Sequence, residues 1–371
     1  MASEDDKLDQ LLNDMRKNLA KKNVTATIWK SNDLGIASYT PHTISTGLAE
    51  LDLQLGGRGG LPAGRLIEYY GFEMCGKTTA ALHAIAEVQR MGGFACFIDA
   101  EHTFSPVRAE QCGVNLDRLQ IMSAHTIESI FEAACTYVEY CENLGLAKKR
   151  PVLIVVDSVT GTHIESEMHE KTAKEAYAKD VRIGGEAKAI RRGVKRLHGL
   201  LARSKVTAIL INHAIATNLT ATFGKKSGAA GGHGTKIMAS VRVEFKNFGK
   251  IAKKRTGEQD LREGQMVTLT IEKLKNAQLQ LPKVEKVELR EYGFNQNLSL
   301  LNAAVMTGWI TVQGTGASKY YTIPIADEEK QFKHSQWDEL VMSLGGYFQV
   351  YAMWLDRAKQ TGHIQLWEEA W

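Results

Sequence analysis

RLIEYYGFEMCGKTT, residues 65–79, is the stretch whose reading decides the fold. Residues 65–70, RLIEYY, read as a strand. The run Gly71-Phe72-Glu73-Met74-Cys75-Gly76-Lys77-Thr78 has the spacing G-x-x-x-x-G-K-[ST]. An Ala-rich helical stretch, 77–91, follows directly. Strand, glycine loop, helix is the setting in which this spacing cradles phosphates. The glycines let successive backbone N–H groups face the anion, and the helix N-terminus adds positive potential. Lys77 is placed to reach the β- and γ-phosphates, and the Thr78 hydroxyl to ligate Mg²⁺. Residues 71–78 with Thr79 are therefore the expected nucleotide-binding set.

Outward from this stretch, strands alternate with helices. FACFI (94–98) reads as a strand closing on Asp99-Ala100-Glu101. A helix covers about 126–144. PVLIVVDS (151–158) is an apolar run closed by a carboxylate, Asp157. A helix spans 186–203, and VTAILIN (206–212) ends at His213. Residues 240–246 and 266–272 alternate like further strands. The expected fold is α/β, with a mostly parallel twisted sheet covered on both faces. Catalytic groups should gather at the carboxyl ends of its strands. Asp157 would be costly to bury alone and is stabilised beside Mg²⁺. Glu101 is placed to hold and deprotonate a water. His213 is placed to donate to a γ-phosphate.

Composition narrows the class further. The chain has 371 residues, 44% hydrophobic and 24% charged, as globular proteins do. No apolar run approaches a membrane span. The polar, acidic start MASEDDKLDQ does not read as a signal peptide. Cysteines 75, 96, 112, 135 and 141 lack metal-ligand spacing and read as reduced, buried thiols of a cytoplasmic protein. The net charge of +4 conceals an asymmetry. Residues 31–160 carry 9 basic and 15 acidic groups, net −6; residues 161–280 carry 23 and 11, net +12. A polyanionic partner belongs on that basic third.

Within it, Ile190, Val194, Leu197 and Leu201 share one helical face, and Lys188, Arg191, Arg192 and Lys195 the other. A solvated face normally carries both signs as i,i+4 pairs. Here only Glu186 opposes the stripe, which reads as a phosphate-backbone surface. Two loops flank the helix. One is 163–185, with Gly184-Gly185; the other is 214–235, with five glycines and one aromatic, Phe223. The second starts directly after His213, which makes it a switch candidate that nucleotide would order and nucleic acid would hold.

The two ends of the chain read as separate pieces. Leu8, Leu11, Leu12, Met15 and Leu19 make an amphipathic helix over 4–22 behind the N-cap candidate Ser3. Its stripe suits either this protein's own core or a neighbouring subunit. From about 285 the pattern changes to short mixed elements with many aromatics. The expected organisation is an N-terminal helix and linker (1–40), a large core (41–284) and a small α+β C-terminal domain (285–371).

Taken together, these motifs resemble the RecA family of homologous-recombination ATPases. TISTGLAELDLQLGGRGGLPAGRLIEYYGFEMCGKTT (43–79) is similar to that family's entry into its phosphate loop. FIDAEH (97–102) resembles its catalytic-glutamate strand, and IVVDSV (154–159) its second Mg²⁺ motif. GGHGTKIMASVR (231–242) resembles the end of its second DNA loop. The similarity covers roughly 40–300, in the same order throughout. It implies an ATP- and Mg²⁺-dependent recombinase that forms a helical filament on single-stranded DNA and pairs it with duplex DNA. A loading mediator and a single-strand-binding protein would be further partners, in the cytoplasm of a bacterial or phage-infected cell.

The resemblance also implies roles residue by residue. Glu101 activates water. Lys188 and Lys195 stand at DNA-contacting positions. Phe223, Gly231, Gly232 and His233 belong to the second DNA loop. Lys273 and Lys275 match paired lysines that cap the neighbouring subunit's γ-phosphate, and the N-terminal helix docks on the next subunit. Two positions depart from the bacterial pattern. His213 replaces glutamine, as in phage-type members such as the UvsX group, and Arg108 stands where tyrosine stacks on adenine. The alternative reading of the same core is a ring helicase that translocates on DNA. A non-enzymatic DNA-coating or mediator protein is a third.

Overall fold

The computed structural model describes residues 4–22, 42–55, 59–160, 162–164, 185–216, 227–229, 233–253, 261–275, 283–325 and 328–364.

Apolar six-residue runs set the centre of a ten-stranded sheet. The short strands β1 (Thr43–Ile44) and β2 (Leu61–Pro62) pair with each other outside it. The large sheet contains β3 (Leu66–Gly71), β4 (Phe94–Asp99), β5 (Leu119–Ser123), β6 (Val152–Asp157), β7 (Thr207–Ala216), β8 (Ser227–Ala229), β9 (Val241–Lys253), β10 (Leu261–Leu274), β11 (Lys283–Arg290) and β12 (Gly293–Phe294). Their order is β12-β11-β10-β9-β3-β7-β6-β4-β5, with β8 paired to β7. From β9 through β5 the neighbours are parallel; β10, β11 and β12 add an antiparallel wing.

Every residue of β3 and β6 is buried, because helices cover both faces. The two-residue period of a strand divides each run between two cores. Leu153 and Val155 pack with Ala80, Ala81 and Ile85 of the helix Lys77–Arg90. Val152, Ile154 and Val156 pack with Ile130, Ala134 and Val138 of the helix Ile127–Asn143 and with Ile190, Val194 and Leu197 of the helix Gly185–Ser204. The helix Ile127–Asn143 starts on a capping box in which Thr126 and Ser129 exchange side-chain and backbone bonds.

Two elements run further than the sequence pattern indicates. Strand β7 continues past His213 to Ala216, because β8 pairs with Ala214–Ala216. Strands β9 and β10 form a long ladder whose outer half carries polar side chains, so main-chain pairing outlasts the apolar alternation. The boundary expected at 284/285 falls inside β11. Val284, Val287 and Leu289 of that strand are buried in the main core, and β11 pairs with β10.

The third core joins the helix Gln296–Met306, the small sheet of β13 (Thr311–Gln313), β14 (Tyr320–Ile325) and β15 (Glu328–Phe332), and the helices Trp337–Ser343 and Tyr347–Gln360. Trp354 is its largest fully buried side chain. It is tied to the segment before the phosphate loop: Ala49 packs in the same cluster, and Tyr351 Oη donates to Asp52 Oδ2 (2.9 Å). Residues 43–366 form one compact unit, and residues 1–42 belong to another. The latter's described element is the helix Glu4–Lys21, on which Leu11 and Met15 are exposed; Ser3 lies outside the described residues. The five cysteines are free and buried. No described helix is long and apolar enough to cross a membrane.

Candidate functional site

The phosphate loop turns at the carboxyl end of β3. Gly76 sits at φ +89°, and a Cβ there would stand 2.8 Å from Leu289 Cδ2 and from the Phe294 ring. Only glycine meets both demands. The turn leads straight into the helix Lys77–Arg90, which leaves its first N–H groups facing the loop. Lys77 is buried, and its ammonium donates to the Gly71 carbonyl (3.0 Å) and the Phe72 carbonyl (2.7 Å). Phe72, Glu73 and Met74 are exposed, while Cys75 is buried with its thiol directed at the Phe72 carbonyl.

Register brings the other groups to the same end. Gly71 of β3 pairs with His213 of β7, and Asp99 of β4 with Asp157 of β6. Asp99 accepts from the Thr103 and Phe104 amides (3.1 Å each) and so folds the turn that carries Glu101. Thr78 Oγ1 donates to Asp157 Oδ2 (2.6 Å). Glu101 Oε1 accepts from His213 Nε2 (2.8 Å) and from Ser158 Oγ.

The two carboxylates differ electrically. Burial pushes Asp157 up to about 6, and the Thr78 hydroxyl offsets only part of that. Such an acid, joined to a threonine hydroxyl, offers two hard oxygen donors, the set that suits Mg²⁺. The hydrogen bond from His213 outweighs burial at Glu101 and holds that carboxyl below its ordinary value. It stays ionised at neutral pH and can accept a proton.

A cavity of about 330 Å³ opens beside the loop. Arg108 reaches it from the short helix Pro106–Gln111, which is capped by Ser105. Its guanidinium donates to Thr79 Oγ1 (3.4 Å) and to the Arg290 carbonyl (3.2 Å). Gln265, Leu289 and Arg290 line the opposite wall. Sequence reasoning missed those three. They lie on strands far along the chain, in no motif, and no local signal marks them. Ser158 was within reach, being the residue after Asp157.

Other expected residues sit elsewhere. Lys273 Nζ donates to the Lys236 and Ile237 carbonyls (2.7 and 2.8 Å), and Lys275 Nζ to the Met238 carbonyl (3.4 Å). They cap the C-terminus of the short helix His233–Met238, as cations favour. The Lys275 amide bonds to Ser240, whose amide bonds to Leu66, the first residue of β3. The phosphate loop starts five residues on, at Gly71, roughly 16 Å along the strand at about 3.3 Å per residue. These lysines therefore lie away from their own loop. Desolvation and the Lys275 charge lower Lys273 to about 8.

On the helix Gly185–Ser204, Ile190, Val194, Leu197 and Leu201 are buried, and Lys188, Arg191, Arg192 and Lys195 are exposed. Arg196 pairs with Glu132 and Arg203 with Glu142, whereas those four have no ion-pair partner among the described residues. Gly234 lies against the Arg191 backbone, so the short helix packs on this basic helix. Phe223, Gly231 and Gly232 lie outside the described residues, and His233 opens the short helix.

The family model for the RecA N-terminal domain matches residues 7–282. The chain belongs to the RecA family. It is 34% identical to the Protein RecA of Borrelia turicatae over 314 residues, 81% of this chain and 80% of that one. It is 37% identical to the Protein RecA of Fusobacterium nucleatum over 242 residues, 63% of this chain and 60% of the relative. For Halalkalibacterium halodurans the figures are 41% over 204 residues, 55% and 54%. The chain thus spans little more than half the length of several RecA relatives it matches. The RecA model takes in the phosphate loop, Glu101, Asp157, His213 and both lysines.

Proposed function

We propose that this chain is an ATP-dependent DNA strand-exchange recombinase. It would form filaments on single-stranded DNA and pair that strand with homologous duplex DNA. One observation carries the reading: two side-chain contacts, Thr78 to Asp157 and His213 to Glu101, close together beside the loop that holds Lys77.

In this reading residues 71–79 bind the triphosphate through backbone N–H groups, and the Lys77 ammonium leaves its loop carbonyls for phosphate oxygens. Thr78 and Asp157 hold Mg²⁺, which supplies charge neutralisation at the phosphates. Glu101 orients water and takes its proton. His213 leaves Glu101 to donate to the γ-phosphate, so nucleotide frees the carboxylate it had bound. Arg108 packs its planar guanidinium on the base, with Arg290 and Gln265 beside it.

The lysine positions support a site completed between protomers. Lys273 and Lys275 lie too far from their own loop to serve it and would serve the next one. The helix Glu4–Lys21, with Leu11 and Met15 exposed, would dock on that neighbour. Lys188, Arg191, Arg192 and Lys195, with Phe223 and Gly231-Gly232-His233, would hold DNA through its backbone, leaving sequence choice to base pairing. The whole would work where a bacterial cell keeps its DNA and ATP, in the cytoplasm.

The test is ATP hydrolysis with and without single-stranded DNA. Stimulation of about tenfold or more is expected, together with helical filaments in electron micrographs. Equal rates in both conditions overturn the reading. Unwinding of a forked duplex without homology assigns a ring translocase instead. Glu101→Gln should bind DNA in the presence of ATP yet turn over at least ~100-fold more slowly.

A further inference from the structure

A chain of buried polar groups crosses the sheet from the Glu101 end to the strand that carries Lys273. Ser158 has one hydroxyl proton and two acceptors, Glu101 Oε1 and the Thr160 carbonyl (2.7 Å). Thr160 Oγ1 donates to Asn212 Oδ1 (3.1 Å) and accepts from the His213 amide (3.4 Å). Asn212 Nδ2 donates to Glu68 Oε1 (2.9 Å). The other Glu68 oxygen accepts from Arg242 Nε. Arg242 Nη1 then donates to Glu272 Oε2 (3.3 Å), as does the Tyr70 hydroxyl.

Two features mark this chain as more than packing. Glu68 and Asn212 are fully buried and Arg242 is 5% exposed. A buried ion pair rarely adds net stability over apolar residues of the same size, so its placement in the central strands points to a geometric task. The second feature is the ladder. Ile271 pairs with Val243 and Lys273 with Arg242, which leaves Glu272 as an extra residue on β10. Such a bulge re-aims the side chain beside it, and the next side chain is Lys273. The Glu272 carboxylate is held by Arg242, whose guanidinium also lies over the Tyr70 ring (4.7 Å).

We propose that Glu272 is a positioning residue that sets the aim of Lys273, and that Asn212, Glu68 and Arg242 tie this aim to the strand bearing His213. The proposal rests on the reading above, in which Lys273 serves the neighbouring protomer's nucleotide. When His213 leaves Glu101 for a γ-phosphate, the carboxylate loses one donor and draws the Ser158 proton away from the Thr160 carbonyl. The shift passes through Thr160 and Asn212 to the Glu68–Arg242 pair and so to the bulge. Each protomer's nucleotide state thereby sets how well its lysines complete the next site.

Glu272→Gln keeps the shape and removes one of the two charges that hold Arg242. Expected are a DNA-stimulated kcat about tenfold lower, as for a displaced catalytic group, a KM for ATP within about twofold, and an unchanged thermal midpoint. The Glu272→Gln/Lys273→Ala double variant should be no slower than Lys273→Ala alone; a further loss overturns the proposal.

Mixed filaments decide between the neighbour's site and the protomer's own. Glu101→Gln protomers have spoiled sites but intact lysines; Glu272→Gln protomers have the reverse. Mixed, they should hydrolyse ATP several-fold faster than the sum of the two alone. A merely additive rate places Glu272 in its own protomer's chemistry and overturns the proposal. If the Gln variant fails to fold, Tyr70→Phe removes one donor to the same carboxylate and is read in the same mixture. Wild-type protein without DNA-stimulated turnover sinks the underlying reading and this proposal together, whereas normal wild-type stimulation with an additive mixture sinks this proposal alone.

Discussion

The two ends of β3 carry opposite chemistry. At its carboxyl end Asp157 is desolvated and raised to about 6, with Glu101 beside it. At its amino end Arg65, Lys273 and Lys275 crowd His198, whose imidazole is lowered first by burial and then by those charges. One end sets two carboxylates beside Lys77 and His213, and the other gathers cations. Roughly 16 Å of strand keeps them apart within one protomer. In the function proposed above, a nucleotide with its cation would meet the first end and a second protomer the other.

The sharpest challenge to that contrast is Lys273→Ala. Loss of one preorganised cation at a phosphoryl-transfer site costs about 100-fold in kcat. ATP affinity of isolated protomers, read by a fluorescent analogue, should change less than about threefold, because Lys273 does not face its own loop. A matching loss of affinity would put both ends in one site. A smaller effect is expected on the basic helix. Lys188→Ala and Lys195→Ala should each weaken single-stranded DNA binding about fivefold at moderate salt and lower the salt slope by somewhat less than 1. An unchanged slope would remove that face from DNA contact.

The smallest effect separates burial from catalysis. Glu50, on the helix Ala49–Gln54, is buried against the C-terminal core, and Asn302 donates to it (3.1 Å). Burial pushes it from 4.5 up to about 7. The folded state therefore takes up a proton between those values, and the stability this group contributes falls as pH rises through that window. Glu50→Gln has no charge to penalise. Its thermal midpoint relative to wild type should rise by about 3 °C between pH 5 and pH 8, with kcat unmoved. A flat difference would show that Glu50 is comfortably ionised, and the contrast with Asp157 would lose its control.

Much of the candidate site was legible because its signals are local. Lys77 and Thr78 lie within one contiguous motif, Asp157 closes an apolar run of strand length, and Glu101 follows two residues after another. The helix Gly185–Ser204 was legible from its 3.6-residue period, which sorts Ile190 from Arg191. The resemblance named Lys273 and Lys275, yet nothing in their neighbourhood showed which end of the sheet they occupy. The boundary at 284/285 failed for a related reason. KVEKVELR carries too many charges to look like a core strand, and it is main-chain pairing with β10 that makes it one.

By itself, then, the sequence determined the phosphate loop, the alternating strands and helices, the basic face and the family. The first three depend on a period or spacing within about twenty residues, and the family on the resemblance of several such motifs in one order. The tertiary structure alone decided which distant groups meet. The lateral order β11-β10-β9-β3-β7-β6 brings Gln265 and Arg290 to the cavity, separates Lys273 from Lys77, and threads Glu272, Arg242, Glu68 and Asn212 into one polar chain. Strand register across some 200 residues of chain sets those meetings, and no local pattern encodes it.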